Sequence, residues 1–333
     1  MHQPVLLTET VDLLRPVLEK GGTWIDCTLG LGGHAAAILA ACPLARLLAI
    51  DRDPAALAEA RRRLMDSSGR IDFVEAPFSG MERWAGDLGI GKVQGIFADL
   101  GVSSLQLDDA GRGFSFRHDA PLDMRMGRPG RGRPAGSEAG EASEAGGEDQ
   151  EEELTARVVV NEYPEAELAR IFMEYGEEAQ ARRIARGIGK KRAEKPIETT
   201  GELARLIEGW KPQDFRPREG KKRVHPATQV FQALRIEVNQ ELEQLEQLLD
   251  QATRLLDADG RLVVISYHSL EDRMVKHTLR ELASGEIEPI TGRPRAETQV
   301  LEVLTRRPIR PSEQEVAGNP RARSARLRAA RRL

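Results

Sequence analysis

The segment Thr23-Trp24-Ile25-Asp26-Cys27-Thr28-Leu29-Gly30-Leu31-Gly32-Gly33-His34-Ala35 constrains this chain more than any other. It reads as a short strand, a tight glycine turn and the start of a helix. Leu47-Leu48-Ala49-Ile50 then reads as a second buried strand, ending in Asp51. A glycine turn followed about 20 residues later by an acid at a strand end is the pattern of a ribose-binding α/β site. Asp26 discriminates among ligands. It stands at the strand end just before the glycines, where the pyrophosphate of a dinucleotide would meet a carboxylate and be repelled. Ala35, moreover, stands where a dinucleotide fingerprint has its third glycine. A ligand with an ammonium and a sulfonium, and no phosphate, would be attracted. That describes S-adenosylmethionine better than NAD.

The flanking sequence extends the pattern. Val5, Leu6, Leu7, Val11, Leu13, Leu14 and Leu18 predict a helix after Thr8, stopped by Gly21-Gly22. Strands are expected at 23–27, 45–50, 71–75 and 93–98, with helices from Gly33 to about Ala41, from Pro54 to about Met65, and over 79–88. Asp53 suits the N-cap of the second of these helices, with Pro54 in the tolerated first turn, which leaves Asp51 available for a ligand. The alternation predicts an α/β fold with a parallel, doubly wound, Rossmann-like sheet. Asp26, Asp51 and Asp99 then lie at the carboxyl ends of strands, where open α/β sheets hold their ligands.

After Asp99 the strand–helix rhythm stops. Residues 127–153 are Gly, Ala, Ser, Arg and Glu without apolar periodicity, with eight acids against three arginines; disorder is the expectation. Helical spacing resumes over 164–190 and about 200–210. A long helix is expected from Thr228 to about Asp257, ended by Asp259-Gly260, then a strand Leu262–Ser266, a helix from about Glu271 and a last strand Leu301–Thr305. The division this predicts is a methyltransferase-type core in two parts, 1–105 and 219–318, a mostly helical inserted domain at 106–218 for substrate recognition, and a basic tail at 319–333. The tail carries six arginines from Arg321 onward, so a net charge of −4 hides an acidic loop and a basic end.

Other function classes are disfavoured. No apolar run approaches the ~18–20 residues of a membrane span, and the N-terminus lacks a signal-peptide layout, so a cytoplasmic protein is expected. Cys27 and Cys42 form no metal-binding spacing, so no metal is expected. Basic clusters at Arg182, Arg183, Arg186, Lys190, Lys191 and Arg192, and at Lys221-Lys222-Arg223, suit either a solvated face or a nucleic-acid partner. Ser103 and Ser104 in Asp99-Leu100-Gly101-Val102-Ser103-Ser104 read as acceptor-facing hydroxyls or as a helix cap. His268 in Ser266-Tyr267-His268-Ser269 reads as a base or proton relay, or as packing. His34 reads as a ligand contact or as a first-turn residue.

Seven ordered blocks resemble the bacterial 16S rRNA cytidine-N4 methyltransferases: His2–Leu7, Asp26–His34, Asp99–Leu107, Pro121–Met126, His225–Thr228, Ser266–Arg273 and Asn319–Ser324. The resemblance covers nearly the whole chain outside 127–153. It departs at Leu105, where the family usually has proline, and in the length and acidity of the 127–153 loop. It implies S-adenosylmethionine contacts at Gly32, Gly33, His34, Asp51, Phe78, Asp99 and Gln106. Phe78 becomes a wall beside the adenine, and Gln106 a hydrogen-bonding partner. The implied reaction is methylation of the exocyclic N4 amine of a cytidine in the decoding region of 16S rRNA, within the small ribosomal subunit. Asp99, Ser103 and Ser104 are then the candidates for groups around N4, with His268 a weaker one. A methyltransferase acting on a small molecule or protein, and a non-catalytic RNA-binding assembly factor, are the competing expectations. The basic helical insertion disfavours the first, and the intact Asp26–Gly33, Asp51 and Asp99 set the second.

Overall fold

A computed structural model describes residues 4–103, 106–107, 109–127, 133–134, 154–211, 225–286 and 295–333. They form two compact units. One is built from the chain up to Gly101, the strand at 133–134, and everything described from Leu242 onward; the other takes Val102–Met126 and the described residues from 154 to Glu241.

The first unit is organised by an eight-stranded sheet. Its strands are β1 (Gly22–Asp26), β2 (Ala45–Asp51), β3 (Ile71–Glu75), β4 (Val93–Asp99), β5 (Arg133–Pro134), β6 (Leu256–Ser266), β7 (Leu301–Val303) and β8 (Arg326–Arg332). The spatial order is β5-β3-β2-β1-β4-β6-β8-β7. Strands β3, β2, β1, β4 and β6 are parallel; β5 adds to β3, and β8 to both β6 and β7, antiparallel. Strand order reverses beside β1, which makes the β1–β4 crevice a topological switch point.

The strand sequences explain why both faces are covered. Leu47, Ala49, Phe97, Val263 and Ile265 pack on one side with the helices Leu7–Leu18 and Gly33–Ala41. Leu48, Ile50, Ile96, Ala98, Leu262 and Val264 pack on the other with the helices Met81–Asp87, Glu241–Leu255 and Ser269–Ser284. Continuous apolar runs are what a parallel sheet buried on both faces requires. No helix among the described residues is long and apolar enough to cross a membrane.

The second unit is helical. Helices Ala156–Glu162, Glu165–Glu174, Ala181–Glu194, Thr200–Trp210 and Thr228–Asn239 enclose Leu168, Phe172, Ile184, Ile188, Val230 and Leu234. The hydroxyls of Thr155 and Thr199 cap two of these helices by accepting the N–H groups of Val158 and Glu202.

Four expectations change. The long helix from Thr228 is two helices, because Gln240 adopts a left-handed conformation (φ 50°) and ends the first at Asn239. That first helix packs in the core of the second unit, although the sequence assigned it to the sheet domain. The second helix stops at Leu255, and β6 begins at Leu256; its register against β4 jumps between the Val93 and Gly95 pairings, so residues 257–260 bulge instead of ending a helix. Arg326–Arg332, read as part of a basic tail, is an interior strand: Leu327 and Ala329 enter one core face and Ala330 the other. Three of its four arginines are neutralised locally, and Arg332 donates to the Val300 carbonyl. Arg326 and Arg328 pair with Asp272, and Arg331 with Asp259 and Glu302. Of the stretch 127–153, only Gly127 and the two residues of β5 are described, and β5 pairs with β3; the expected disorder there otherwise lies outside the described residues, as do Ser104 and the Lys221-Lys222-Arg223 cluster.

Candidate functional site

The carboxyl ends of β1, β2 and β4 deliver Asp26, Asp51 and Asp99 to one edge of the sheet. Between the first two runs the glycine turn. Gly30 and Gly32 have φ of 53° and 70°, the left-handed region that favours glycine. A Cβ on Gly32 would lie 3.1 Å from the Leu64 side chain, and one on Gly33 only 2.5 Å from Pro4. Sterics therefore set both residues, independently of any ligand.

Backbone donors from this turn organise the acids. Gly30 N–H donates to Asp51 Oδ2 at 2.7 Å, and Asp53 N–H to Asp51 Oδ1 at 2.9 Å. Asp53 is buried and caps the helix Pro54–Arg63 through the N–H of Ala55, as its sequence position implied. Asp51 thus keeps roughly half of a carboxylate's four acceptor positions for other partners. Thr28 N–H donates to Asp26 Oδ1, and Asp99 N–H donates to the Thr28 hydroxyl at 2.6 Å. Thr28, which sequence reading passed over, ties Asp26 to Asp99.

Asp99 has two further neighbours. Tyr267 Oη–H donates to its Oδ1 at 2.8 Å. His34 Nδ1 lies 3.9 Å from its Oδ2, while His34 Nε2–H donates to the Val5 carbonyl at 2.8 Å and the ring tilts against Phe97. His34 is therefore both a first-turn helix residue and a neighbour of Asp99.

Charge is the distinguishing property of this edge. Burial pushes the Asp26 carboxyl up to about 8, against the Thr28 hydrogen bond and helped by the charges of Asp51 and Asp99. Burial raises Asp51 to about 6, opposed by the Asp53 and Gly30 hydrogen bonds. Burial likewise raises Asp99 to about 7, opposed by the Tyr267 hydroxyl and assisted by Glu271. Among the described residues, none of the three forms an ion pair with a lysine or arginine. Such an edge suits a cationic ligand and disfavours a phosphate.

The remaining sequence candidates fall as follows. Phe78 follows β3 and is half-buried, with part of its ring against the core. Gln106 belongs to the second unit. Its side-chain oxygen accepts Ser103 N–H at 2.9 Å, its amide donates to Met126 O at 2.7 Å, and its own N–H donates to Ser103 Oγ. Ser103 and Gln106 thus form a reciprocal capping box, a pattern that Ser-x-x-Gln spells out in sequence. His268 is the N-cap of the helix Ser269–Ser284: its Nδ1 accepts Glu271 N–H, and the Glu271 carboxylate accepts the N–H groups of Tyr267 and His268. Nδ1 thus serves as the cap, while Nε2 is buried 3.2 Å from the Glu271 carboxylate without a hydrogen bond. On helix Ala181–Glu194, Arg182, Arg183, Arg186 and Lys190 are exposed, whereas Arg192 is turned onto the Val160 carbonyl and Lys191 onto Glu194.

A doubly wound sheet with a glycine turn at its switch point and three strand-end acids, one buried and two half-buried, that meet no lysine or arginine ion pair among the described residues defines a Rossmann-like methyltransferase, whose methyl donor is S-adenosylmethionine. The residues fit that donor, since its ammonium and sulfonium supply the positive charge this edge lacks. The chain belongs to the MraW methylase family, whose model matches residues 1–132 and 148–333. It is 48% identical over 333 residues to the ribosomal RNA small subunit methyltransferase H of Thermobifida fusca, covering 99% of this chain and 93% of that protein. It is 45% identical to the protein of the same name from Symbiobacterium thermophilum, covering 100% and 96%. A crystal structure described as a putative rRNA-methylase from Clostridium thermocellum aligns over 100% of both chains with a TM-score of 0.43 and 11% identity.

Proposed function

We propose that this protein methylates the N4 amine of a cytidine in 16S rRNA of the small ribosomal subunit, in the cytoplasm. The observation that carries this reading is the acidic edge formed by Asp26, Asp51 and Asp99, which meets no lysine or arginine ion pair among the described residues, within a chain whose full-length relatives are named for small-subunit rRNA methylation.

In this reading Asp51 accepts the two ribose hydroxyls, a charge-assisted pair of bonds. Gly32 and Gly33 allow close backbone approach, with His34 beside them, Phe78 flanks the adenine, and Gln106 contributes a hydrogen bond. When bound, the cofactor supplies an electrophilic methyl group on sulfur. The chain's own task is to present the amine. The N4 lone pair is delocalised into the ring, so the amine is a poor nucleophile. Holding it in line is worth up to about 7–11 kcal/mol. Asp99 is assigned the acceptor role toward N4, with Ser103 and Ser104 as flanking hydroxyls. On receiving that methyl group in exchange for the carbon–sulfur bond, N4 would give up one proton. A carboxyl held near neutrality is suited to receive that proton. His268, which caps a helix, is given no chemical step.

The test is incubation with isotopically labelled cofactor and unmethylated small subunits, followed by mass spectrometry of the nucleosides. Label in N4-methylcytidine is expected; label in another nucleoside, or none, refutes the assignment.

A further inference from the structure

The arginines near the C-terminus separate into two groups. Inside β8, Arg326, Arg328 and Arg331 pair with acids, and Arg332 donates to the Val300 carbonyl. Four of those outside it meet no acid among the described residues. Arg306, Arg307 and Arg310 follow β7, and Arg321 and Arg323 precede β8; all five are exposed. Among the described residues, Arg306, Arg307, Arg310 and Arg323 make no ion pair or side-chain hydrogen bond. Two acids lie in the same stretch, and one of them, Glu315, is occupied by the N–H of Leu6.

Sheet register fixes where these arginines lie. Asp99 pairs with Ile265, Ile265 with Leu327, and Leu327 bridges Ile309. Asp99 and Ile309 are therefore in one lateral row, three strand spacings or about 14 Å apart. β8 enters the sheet at Arg326, opposite Ser266 at the carboxyl end of β6. Arg310, Arg321 and Arg323 thus sit at the level of the edge that carries the three acids, with Arg306 and Arg307 in the bulge just beside it. Buried Ala322 and Ala325 hold the second segment against the core, so its arginines are presented from a fixed backbone. A neighbouring pair of surfaces with opposite charge suits a ligand whose uncharged base enters the acidic site and whose phosphates lie outside it.

We infer that Arg306, Arg307, Arg310 and Arg323 form the surface that grips the backbone of the RNA strand flanking the target nucleotide. The inference rests on the reading of this chain as an RNA methyltransferase and adds where the strand runs. Guanidinium groups free of acidic partners are suited to bidentate phosphate contact, and such contacts carry no sequence information.

The experiment uses the full chain with Arg306→Gln, Arg307→Gln and Arg310→Gln combined, and separately with Arg323→Gln. Arg62→Gln with Arg63→Gln, on the exposed end of the helix Pro54–Arg63, serves as the control. Affinity for unmethylated small subunits and for a cytidine-containing single-stranded RNA is measured over a series of potassium chloride concentrations. The triple variant should bind roughly tenfold or more weakly at low salt, and its log–log salt slope should fall by about 2, since each lost phosphate contact on a single strand removes about 0.7. Its melting temperature and its calorimetric affinity for S-adenosylmethionine should match wild type. Unchanged affinity and slope in the triple variant overturn the inference, as does an equal loss per charge in the control. If wild type methylates no cytidine while the triple variant still loses salt-dependent RNA affinity, the reaction assignment falls and the surface stands. If wild type methylates and the triple variant binds as wild type does, the surface falls alone.

Discussion

The hydroxyl of Tyr267, just beyond β6, donates to Asp99 Oδ1 at the end of β4 across 2.8 Å. Burial and the neighbouring Asp99 charge raise the Tyr267 phenol well above its ordinary value, so it is a protonated donor at neutral pH. The bond steadies the charged form of Asp99 and opposes the effect of burial. Tyr267→Phe keeps the ring and removes the donor. A hydrogen bond to a charged group is worth about 1.5–3 kcal/mol, so kcat/KM should fall roughly ten- to a hundredfold. The Asp99 carboxyl should rise further, moving the acidic limb of the pH–rate profile to higher pH. A limb that stays in place separates Tyr267 from Asp99 function.

Cofactor binding should depend on pH in a defined direction. Asp51, Asp99 and Asp26 are raised to about 6, 7 and 8. A cationic ligand favours their ionised forms, so binding should release protons and tighten as pH rises from about 5.5 to 8. The unliganded protein should show the opposite trend. A carboxyl whose folded value exceeds its unfolded value of about 3.9 contributes stability that is complete below the unfolded value and is lost as pH rises through the folded one. Calorimetry in buffers of different ionisation enthalpy should detect the released protons, and the melting temperature without cofactor should decline over the same window. Affinity that is flat with pH would contradict the charge assignment.

Much of this site is written locally in the sequence. The β1–turn–helix segment, the strand-end acids and the Asp53 cap each depend on neighbours within a few residues, and periodicity or turn chemistry exposes them. What sequence reading missed is held by distant partners. β8 reads as Arg-Leu-Arg-Ala-Ala-Arg-Arg, which looks like a solvated tail until Asp272, Asp259 and Glu302 are brought beside it by β6, β7 and their flanking helix. Deletion of residues 319–333 would therefore remove an interior strand and unfold the sheet rather than detach an RNA-binding arm. The break at Gln240 was equally hidden, because the apolar spacing of Leu234, Leu242 and Leu245 continues across it. The helix near Glu271 is legible, but its cap is not: His268-Ser269-Leu270-Glu271 has the spacing of a capping box, with a histidine where serine or threonine is usual.

Asp51 should be separable from its neighbours by substitution. Asp51→Ala removes the acceptor that Gly30 and Asp53 N–H groups share, along with the acceptor proposed for the ribose. Cofactor affinity should weaken by about 1.5–3 kcal/mol, measured by calorimetry. Asp53→Ala, which removes the helix cap but leaves both hydrogen bonds to Asp51, should lower the melting temperature with a smaller effect on affinity. Equal affinity losses in the two variants would mean that the turn, rather than the Asp51 carboxylate, sets cofactor binding.

His268 offers the sharpest choice between structure and chemistry. Its Nδ1 accepts the N–H of Glu271, whose carboxylate in turn accepts two N–H groups at the helix start. Loss of an N-cap costs about 1 kcal/mol, which in a protein of this size lowers the melting temperature by roughly one to two degrees. His268→Ala should show that loss with kcat largely retained. His268→Ser, whose hydroxyl can accept the same N–H, should recover most of the stability. A ring nitrogen that relays a proton cannot be replaced by serine, so a collapse of kcat in both variants at wild-type melting temperature would return His268 to the chemistry.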